Sequence, residues 1–145
     1  MSATSPRASP TGSGSGVSIA TVQAYRRPMV TDDPTTTNPD HYRTLWENEF
    51  VRVLEYLDEP GDRTAAHDHP NSVMVTLSSF SRRLSAGGRE FETELPAGQA
   101  VWIPAQRHSG ENTGETPTHT IFVELKGASA GEATGGALGP APSSP

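Results

Sequence analysis

Three histidines are the residues of this chain whose types and spacing best suit metal chemistry. His67 and His69 are separated by a single residue, and His108 follows Pro104 at the end of another apolar stretch. Side chains alternate between the two faces of a β-strand, so an extended 67–69 segment would project both imidazoles from one face, where they can chelate one ion. The pair is equally compatible with two solvated histidines at a strand end, and its spacing leaves both interpretations open.

The residues that follow the pair favour the metal interpretation. Every second residue after His67 and His69 leads to Val73, Val75 and Leu77, the apolar set of the next stretch. This pattern predicts that both histidines face the interior of the fold, with Val73 on the same side. Neutral imidazoles buried among apolar side chains need a polar partner, and a metal ion satisfies both rings.

Short β-strands must position these histidines. Five stretches are rich in β-branched or aromatic residues, or alternate apolar with polar residues, and turn residues separate them. They are Phe50–Leu57, Val73–Leu77, Arg89–Leu95, Ala100–Ile103 and Thr118–Leu125. Because no stretch has helical periodicity, the sequence predicts an all-β protein, a small sandwich or jelly-roll β-barrel.

The chain is long enough for one domain, and its glycines and prolines indicate where that domain lies. It has 145 residues, with 14 Gly and 13 Pro. Residues 1–16 and 127–145 contain too little apolar surface to offset the entropy of ordering them, so both are expected to be disordered tails. Residues 17–40 are predicted to be a linker or an N-terminal strand, and residues 41–126 the β-barrel domain.

Composition excludes several classes of function. The chain has no cysteine, which excludes disulfide scaffolds and thiolate metal sites. Its formal net charge of −6 argues against nucleic-acid binding. There is neither an apolar run of the ~20 residues that a membrane helix needs nor the apolar stretch of a secretory signal. We therefore expect a cytoplasmic protein with no membrane or nucleic-acid partner.

Two segments resemble the two motif halves of the cupin superfamily. They read Gly61-x5-His67-x-His69 and Gly98-x5-Pro104-x3-His108-x3-Asn112. Residues 45–127 are similar to small stand-alone cupins, including those encoded with β-alanine degradation genes. The resemblance implies a jelly-roll barrel. It also implies one divalent metal ion inside the barrel, bound by the three histidines of these motifs.

The sequence departs from the usual cupin pattern at two points. The motif glutamate four or five positions after the second histidine is replaced by Val73 or Met74, and the segment from Pro104 to His108 is one residue shorter and lacks its glycine. Three neutral imidazoles would leave a divalent ion with its full charge and with open positions. Fe(II) and Zn(II) are the first candidates, and Ni(II), Mn(II) and Cu(II) accept the same ligands.

Such a centre favours small anionic ligands. The first hypothesis is a metal-dependent enzyme acting on a small anionic metabolite, through oxygenation of the Fe(II) dioxygenase type or through isomerisation or cyclisation of a metal-bound enolate. The alternative is a metal- or metabolite-binding module without turnover, because the fold does not decide between them. The resemblance also leads us to expect a homodimer, paired through a strand from residues 17–25.

Other polar residues are secondary candidates. His119 alternates with the apolar residues of its strand and is predicted to face inward, as a core histidine, a catalytic group or a fourth metal ligand. Glu111 is a candidate general base near the third metal histidine, or else a solvated residue. Arg52, Arg82 and Arg107 are candidates to hold a substrate carboxylate, or are surface cations.

Overall fold

Nine β-strands form the framework of the computed structural model, which describes residues 32–133 and 135–142. A short helix, α1 (Pro34–Thr37), precedes the strands, and a 3-10 helix (Gly127–Ala130) follows them. The strands are β1 (Tyr42–Glu47), β2 (Val51–Asp58), β3 (His67–His69), β4 (Ser72–Thr76), β5 (Phe80–Ala86), β6 (Arg89–Leu95), β7 (Ala100–Ile103), β8 (Gln106–Asn112) and β9 (Thr118–Leu125).

The strands form two antiparallel sheets that enclose one core. The first sheet has the order β1-β2-β9-β4-β7, and the second has the order β3-β8-β5-β6. Leu54, Met74, Ile103 and Phe122 of the first sheet pack in one cluster with Phe80 of the second. The prediction of a small jelly-roll barrel is confirmed.

Apolar patterning located some strands and missed others. Three predicted strands agree with β6, β7 and β9, and two others match β2 and β4 within one residue at each end. The pattern missed β1, β5 and β8, whose sequences YRTLWE, FSRRLSA and QRHSGEN are at least half polar. Strands β5 and β8 bury polar residues that belong to the site described below, and β1 buries only Tyr42, so hydrophobic alternation does not reveal these strands.

The prediction that Val73 shares a face with His67 and His69 is wrong. Both histidines are buried inside the barrel, as expected, but β4 buries Ser72 and Met74 and leaves Val73 only half-buried. The chain passes from the second sheet to the first between β3 and β4. Alternation holds only within a continuous strand, so the crossing shifts the inward set by one residue.

Strand β9 also faces the opposite way from the prediction. Its buried residues are Thr118, Thr120, Phe122 and Glu124, whereas the apolar residues between them are half-buried on the outer face. Strands usually bury their apolar face. Here the interior holds polar groups that belong to the site, and the outer face of the first sheet carries the apolar set.

The C-terminal segment packs against the barrel, contrary to the prediction of a disordered tail. Asn71 N donates to Ala130 O at 2.7 Å, and Ala141 N donates to Trp102 O at 2.9 Å. Gly139 is buried. The predicted N-terminal tail, residues 1–16, and the candidate dimer strand of residues 17–25 lie outside the described residues. Within the described ranges, no helix is long and apolar enough to span a membrane.

Candidate metal centre

The pairing of β3 with β8 brings the three predicted metal ligands together. His67 lies directly opposite His108 in this antiparallel pair, and His69 lies on the same face two residues along. One ring nitrogen from each histidine lies within 4.8 Å of the others. All three side chains are buried. The expectation that the ring nitrogens approach within about 5 Å without a bound ion is thus confirmed.

The hydrogen bonds of His67 and His69 determine which nitrogen of each ring is free. His67 Nδ1 lies 2.7 Å from Ala65 O, and His69 Nδ1 lies 3.0 Å from Glu124 Oε2. A carbonyl or carboxylate oxygen only accepts, so each Nδ1 carries the hydrogen and each Nε2 keeps its lone pair. Metal-binding histidines are oriented by this kind of outer hydrogen bond.

His108 is held in the same way by Gln106. The Gln106 Nε2 donates to Pro104 O at 2.9 Å and to Gly139 O at 3.1 Å, which fixes the orientation of the amide. Its Oε1 accepts from His108 Nδ1 and from Gly139 N, both at 2.7 Å. The C-terminal segment thereby supports the third histidine through one glutamine side chain.

The Tyr42 hydroxyl has one hydrogen to offer to two ring nitrogens of the histidine cluster. Its oxygen lies 3.3 Å from the Nε2 atoms of both His67 and His69. Burial raises the pKa of Tyr42, so the hydroxyl keeps its single proton and satisfies one lone pair at a time. A cation accepts lone pairs from all three Nε2 atoms. The three ring nitrogens of this buried site therefore fit a metal ion as its ligands.

Burial keeps the imidazoles of His67 and His108 neutral, which is the form that binds metal. Burial and the neighbouring His69 ring lower the pKa of His67 from 6.5 to about 3. Burial and the other two rings hold the pKa of His108 well below its usual value. Protons therefore do not compete for these two nitrogens near neutral pH.

The metal-free protein is expected to lose stability in acid because of His67. Between pH 6.5 and about 3, the unfolded chain binds a proton at this residue that the folded protein excludes. The contribution is full above pH 6.5 and falls by about 1.4 kcal/mol per pH unit below it. The free energy of unfolding of chelator-treated protein, obtained from urea titrations at pH 7 to 4, measures this slope. Equal slopes in the protein and in His67→Gln would contradict the assignment.

Glu124 links His69 to a chain of ion pairs. Its Oε1 accepts from Arg52 at 2.7 Å, and Arg52 also contacts Asp33 at 2.7 Å. The Glu124 side chain is 3 % exposed. This arrangement holds a carboxylate behind a metal-facing ring and fixes the orientation of that ring.

Glu124→Gln is expected to weaken zinc binding by about 10- to 100-fold, because the amide no longer places negative charge behind His69. Competition with a chromophoric chelator measures this affinity. Glu55→Gln is the matched control, since Glu55 contacts His119 Nε2 at 2.9 Å on the outer face. Equal affinities for the two variants would show that Glu124 does not act on the metal.

A cavity of about 50 Å³ adjoins the histidines inside the barrel. His67, His108 and Tyr42 form part of its wall. Apolar side chains, among them Met74, share the remainder of the wall with polar side chains, some of which are described below. Met74 thus occupies the interior position that the motif glutamate would take.

The two candidate catalytic residues, His119 and Glu111, lie outside the barrel. The prediction that His119 faces inward is wrong, because it lies on the outer face of β9 and pairs with Glu55. Glu111 alternates away from the inward face of β8 and contacts Arg63 at 3.5 Å and Arg83 at 3.7 Å. The structure brings neither residue to the cavity, and neither is placed to act there.

Of the three candidate arginines, the structure brings only Arg82 into the cavity wall. Arg52 is engaged with Glu124, and Arg107 pairs with Asp68 at 3.3 Å on the outer side of β3 and β8.

Sequence reasoning missed Tyr42, Gln106 and Glu124. Gln106 carried a usable signal, because it lies two residues before His108 and so shares its face. Tyr42 carried no such signal, because no local pattern shows which residue of the first strand points into the barrel.

No family model and no curated protein matches this sequence. Several solved structures do. A cupin domain from Bordetella pertussis is 24 % identical, with a TM-score of 0.56 over 59 % of this chain and 92 % of that one. A double-stranded β-helix protein from Klebsiella pneumoniae is 24 % identical, with a TM-score of 0.49 over 76 % and 90 %. A cupin 2 conserved barrel domain protein from Salinispora arenicola is 18 % identical, with a TM-score of 0.45 over 60 % and 75 %.

The likeness to the Bordetella domain agrees with the topology described above. Two antiparallel sheets close over one core, and the three motif histidines meet inside. The identities support a conclusion about architecture rather than about activity. This chain has the cupin fold.

Proposed function

We propose that this protein is a metal-dependent enzyme that acts on a small anionic metabolite, with one divalent ion held by His67, His69 and His108. One observation carries the proposal. Each of the three buried rings has its Nδ1 atom engaged by an acceptor, which leaves three Nε2 lone pairs to share one site. A purely structural histidine cluster has no need of this common orientation.

Charge argues for an anionic substrate. A divalent ion supplies Lewis acidity and open coordination positions, and three neutral imidazoles leave its charge uncompensated. The two buried carboxylates nearby are already engaged, because Glu124 pairs with Arg52 and Asp58 pairs with Arg82. An anionic ligand should therefore bind more tightly at this centre than a neutral ligand of the same size.

The cavity favours oxygenation over enolisation. Within the described residues, its wall contains no aspartate, glutamate or lysine. Burial raises the pKa of both Tyr42 and Tyr56, so these hydroxyls are poor bases at neutral pH. Proton abstraction from a substrate carbon needs a base with a pKa near the working pH. Oxygenation at a three-ligand Fe(II) site takes its reactivity from the metal and dioxygen, and we propose it as the reaction class.

Oxygen uptake tests this proposal. Metal-free protein is loaded with Fe(II) or Zn(II) and assayed against two- and three-carbon 2-oxo, 2-hydroxy and unsubstituted carboxylic acids. We expect the Fe(II) form to consume one dioxygen per molecule of one of these acids and the Zn(II) form to consume none. If both forms bind metal and acid but neither turns over, the protein is a binding module without catalysis.

A further inference from the structure

Two polar groups in the cavity wall are not used by the metal centre. Arg82 projects from β5 and is 8 % exposed. Thr120 projects from β9 and is 1 % exposed, and its hydroxyl has no hydrogen-bond partner within the part of the chain that the structure describes. A buried hydroxyl without a partner costs folding free energy, so its presence needs an explanation.

The Arg82 guanidinium is fixed at one end only. Its Nη1 donates to Asp58 Oδ2 at 2.5 Å and to Thr118 Oγ1 at 3.2 Å, and the group lies 5.0 Å above the centre of the Tyr56 ring. Among the described residues, Nη2 and Nε make no hydrogen bond. Asp58 is in turn held by Asn112 Nδ2 at 3.0 Å. The arginine is therefore oriented by its neighbours while it keeps donors to offer.

The threonine lines the same cavity as this arginine. Thr118, which contacts Arg82, and Thr120 are two residues apart on the inward face of β9, a separation of about 7 Å along the strand. Thr120 is also the pairing partner of Tyr56, over whose ring the guanidinium lies. A donor hydroxyl and a guanidinium with free donors in the wall of one cavity match the two oxygens of a carboxylate.

Gly110 supplies the space for the guanidinium. A Cβ at this position would lie 2.8 Å from Arg82 Nη2 and 3.2 Å from Leu84 Cδ2. Gly110 occupies the inward face of β8 two residues after His108. Any larger residue here would press on the arginine, and none of the three heavy atoms nearest to the added Cβ belongs to a metal-binding histidine.

The size of the cavity limits the ligand. A protein cavity of about 150 Å³ accepts benzene. The volume of about 50 Å³ here admits far fewer atoms. Two or three carbons with their oxygens are the largest group that suits it.

We propose that the cavity contains a carboxylate subsite, in which Arg82 and Thr120 bind the carboxylate of a two- or three-carbon acid. This inference rests on the proposed function, since the rest of such an acid would then reach the metal centre. It adds the substrate class and two binding residues to that function.

Ligand titrations of the zinc-loaded protein test the subsite, with acetate, glycolate and pyruvate as probes and acetamide and benzoate as controls. Thr120→Val removes only the unpartnered hydroxyl. We expect it to weaken binding of the best acid about tenfold, which is the usual effect of losing a hydrogen bond to a charged group. The smallest loss that fits the subsite is threefold. The variant should leave zinc affinity unchanged and should not lower the unfolding midpoint. Thr76→Val is the matched control, because Thr76 lies opposite Thr120 and its hydroxyl is satisfied by Pro96 O at 2.7 Å.

Gly110→Ala is the second variant. It should also weaken binding of the acid, and its zinc affinity should be unchanged. The subsite is overturned if Thr120→Val changes acid affinity less than threefold, if benzoate or acetamide binds as tightly as the best acid, or if none of the three acids binds. A failure of zinc binding in the unaltered protein would instead overturn the proposed function, so the two failures are distinguishable.

Discussion

Substitution of Arg82 by methionine is expected to destabilise the barrel by about 3–5 kcal/mol, because it leaves a buried carboxylate without its counter-charge. The Asp58 side chain is 0 % exposed. Burial alone would raise the pKa of Asp58, but the Arg82 guanidinium and the hydrogen bonds from Tyr56 and Asn112 hold it below its usual value. The urea unfolding midpoint at pH 7 measures the loss.

Arg83→Met is the control for this prediction. Arg83 is the next residue of the same strand, but its side chain is 39 % exposed and pairs with surface glutamates. Exposed ion pairs contribute little to stability, so its midpoint should hardly change. The double variant Arg82→Met with Asp58→Asn should recover part of the loss. Equal midpoints for the two single arginine variants would contradict the buried pair.

Replacement of Met74 by glutamate is expected to make the fold depend on metal. Met74 is 7 % exposed and lines the cavity with His67 and His108. Without metal, an unpaired carboxylate here should cost several kcal/mol, about 3 or more. With Zn(II), the carboxylate can join the three imidazoles, so the metal should raise the melting temperature far more than it does in the unaltered protein.

Val73→Glu is the matched control for the Met74 variant. Val73 is the preceding residue, and it is half-buried on the outer face of the same strand. A carboxylate there lies away from the cavity, so we expect little change in either the metal-free melting temperature or the zinc-induced rise. A larger zinc-induced rise for Val73→Glu than for Met74→Glu would show that the strand register is wrong.

The sequence was informative about the metal ligands because the signal was local. His67 and His69 share a strand, and alternation within three residues needs no knowledge of the rest of the fold. His108 was singled out by its place after Pro104 at the end of an apolar stretch, and the resemblance of its segment to a motif then supported it. The pairing of β3 with β8, which brings the rings together, is a long-range contact that no local pattern encodes.

The errors have two physical causes. The barrel interior is polar where the site lies, so the rule that strands bury their apolar face fails for β9 and placed His119 inside. Alternation also failed across Pro70, where the chain changes sheets. The buried ion pair of Asp58 and Arg82 joins residues 24 positions apart and is visible only in three dimensions.

Two expectations from the resemblance stay predictions. The structure does not test the homodimer, whose candidate strand lies outside the described residues, nor the similarity to cupins encoded with β-alanine degradation genes. The cytoplasmic location is likewise a prediction.

X-ray absorption of the zinc-loaded protein tests the central claim most directly. We predict one zinc ion per chain with three imidazole nitrogens at about 2.0–2.1 Å, and any further ligand a light atom from solvent or an added acid. Fewer than three imidazoles in the zinc shell, or an unchanged spectrum after His67→Ala, would contradict the assignment of His67, His69 and His108 as the metal ligands.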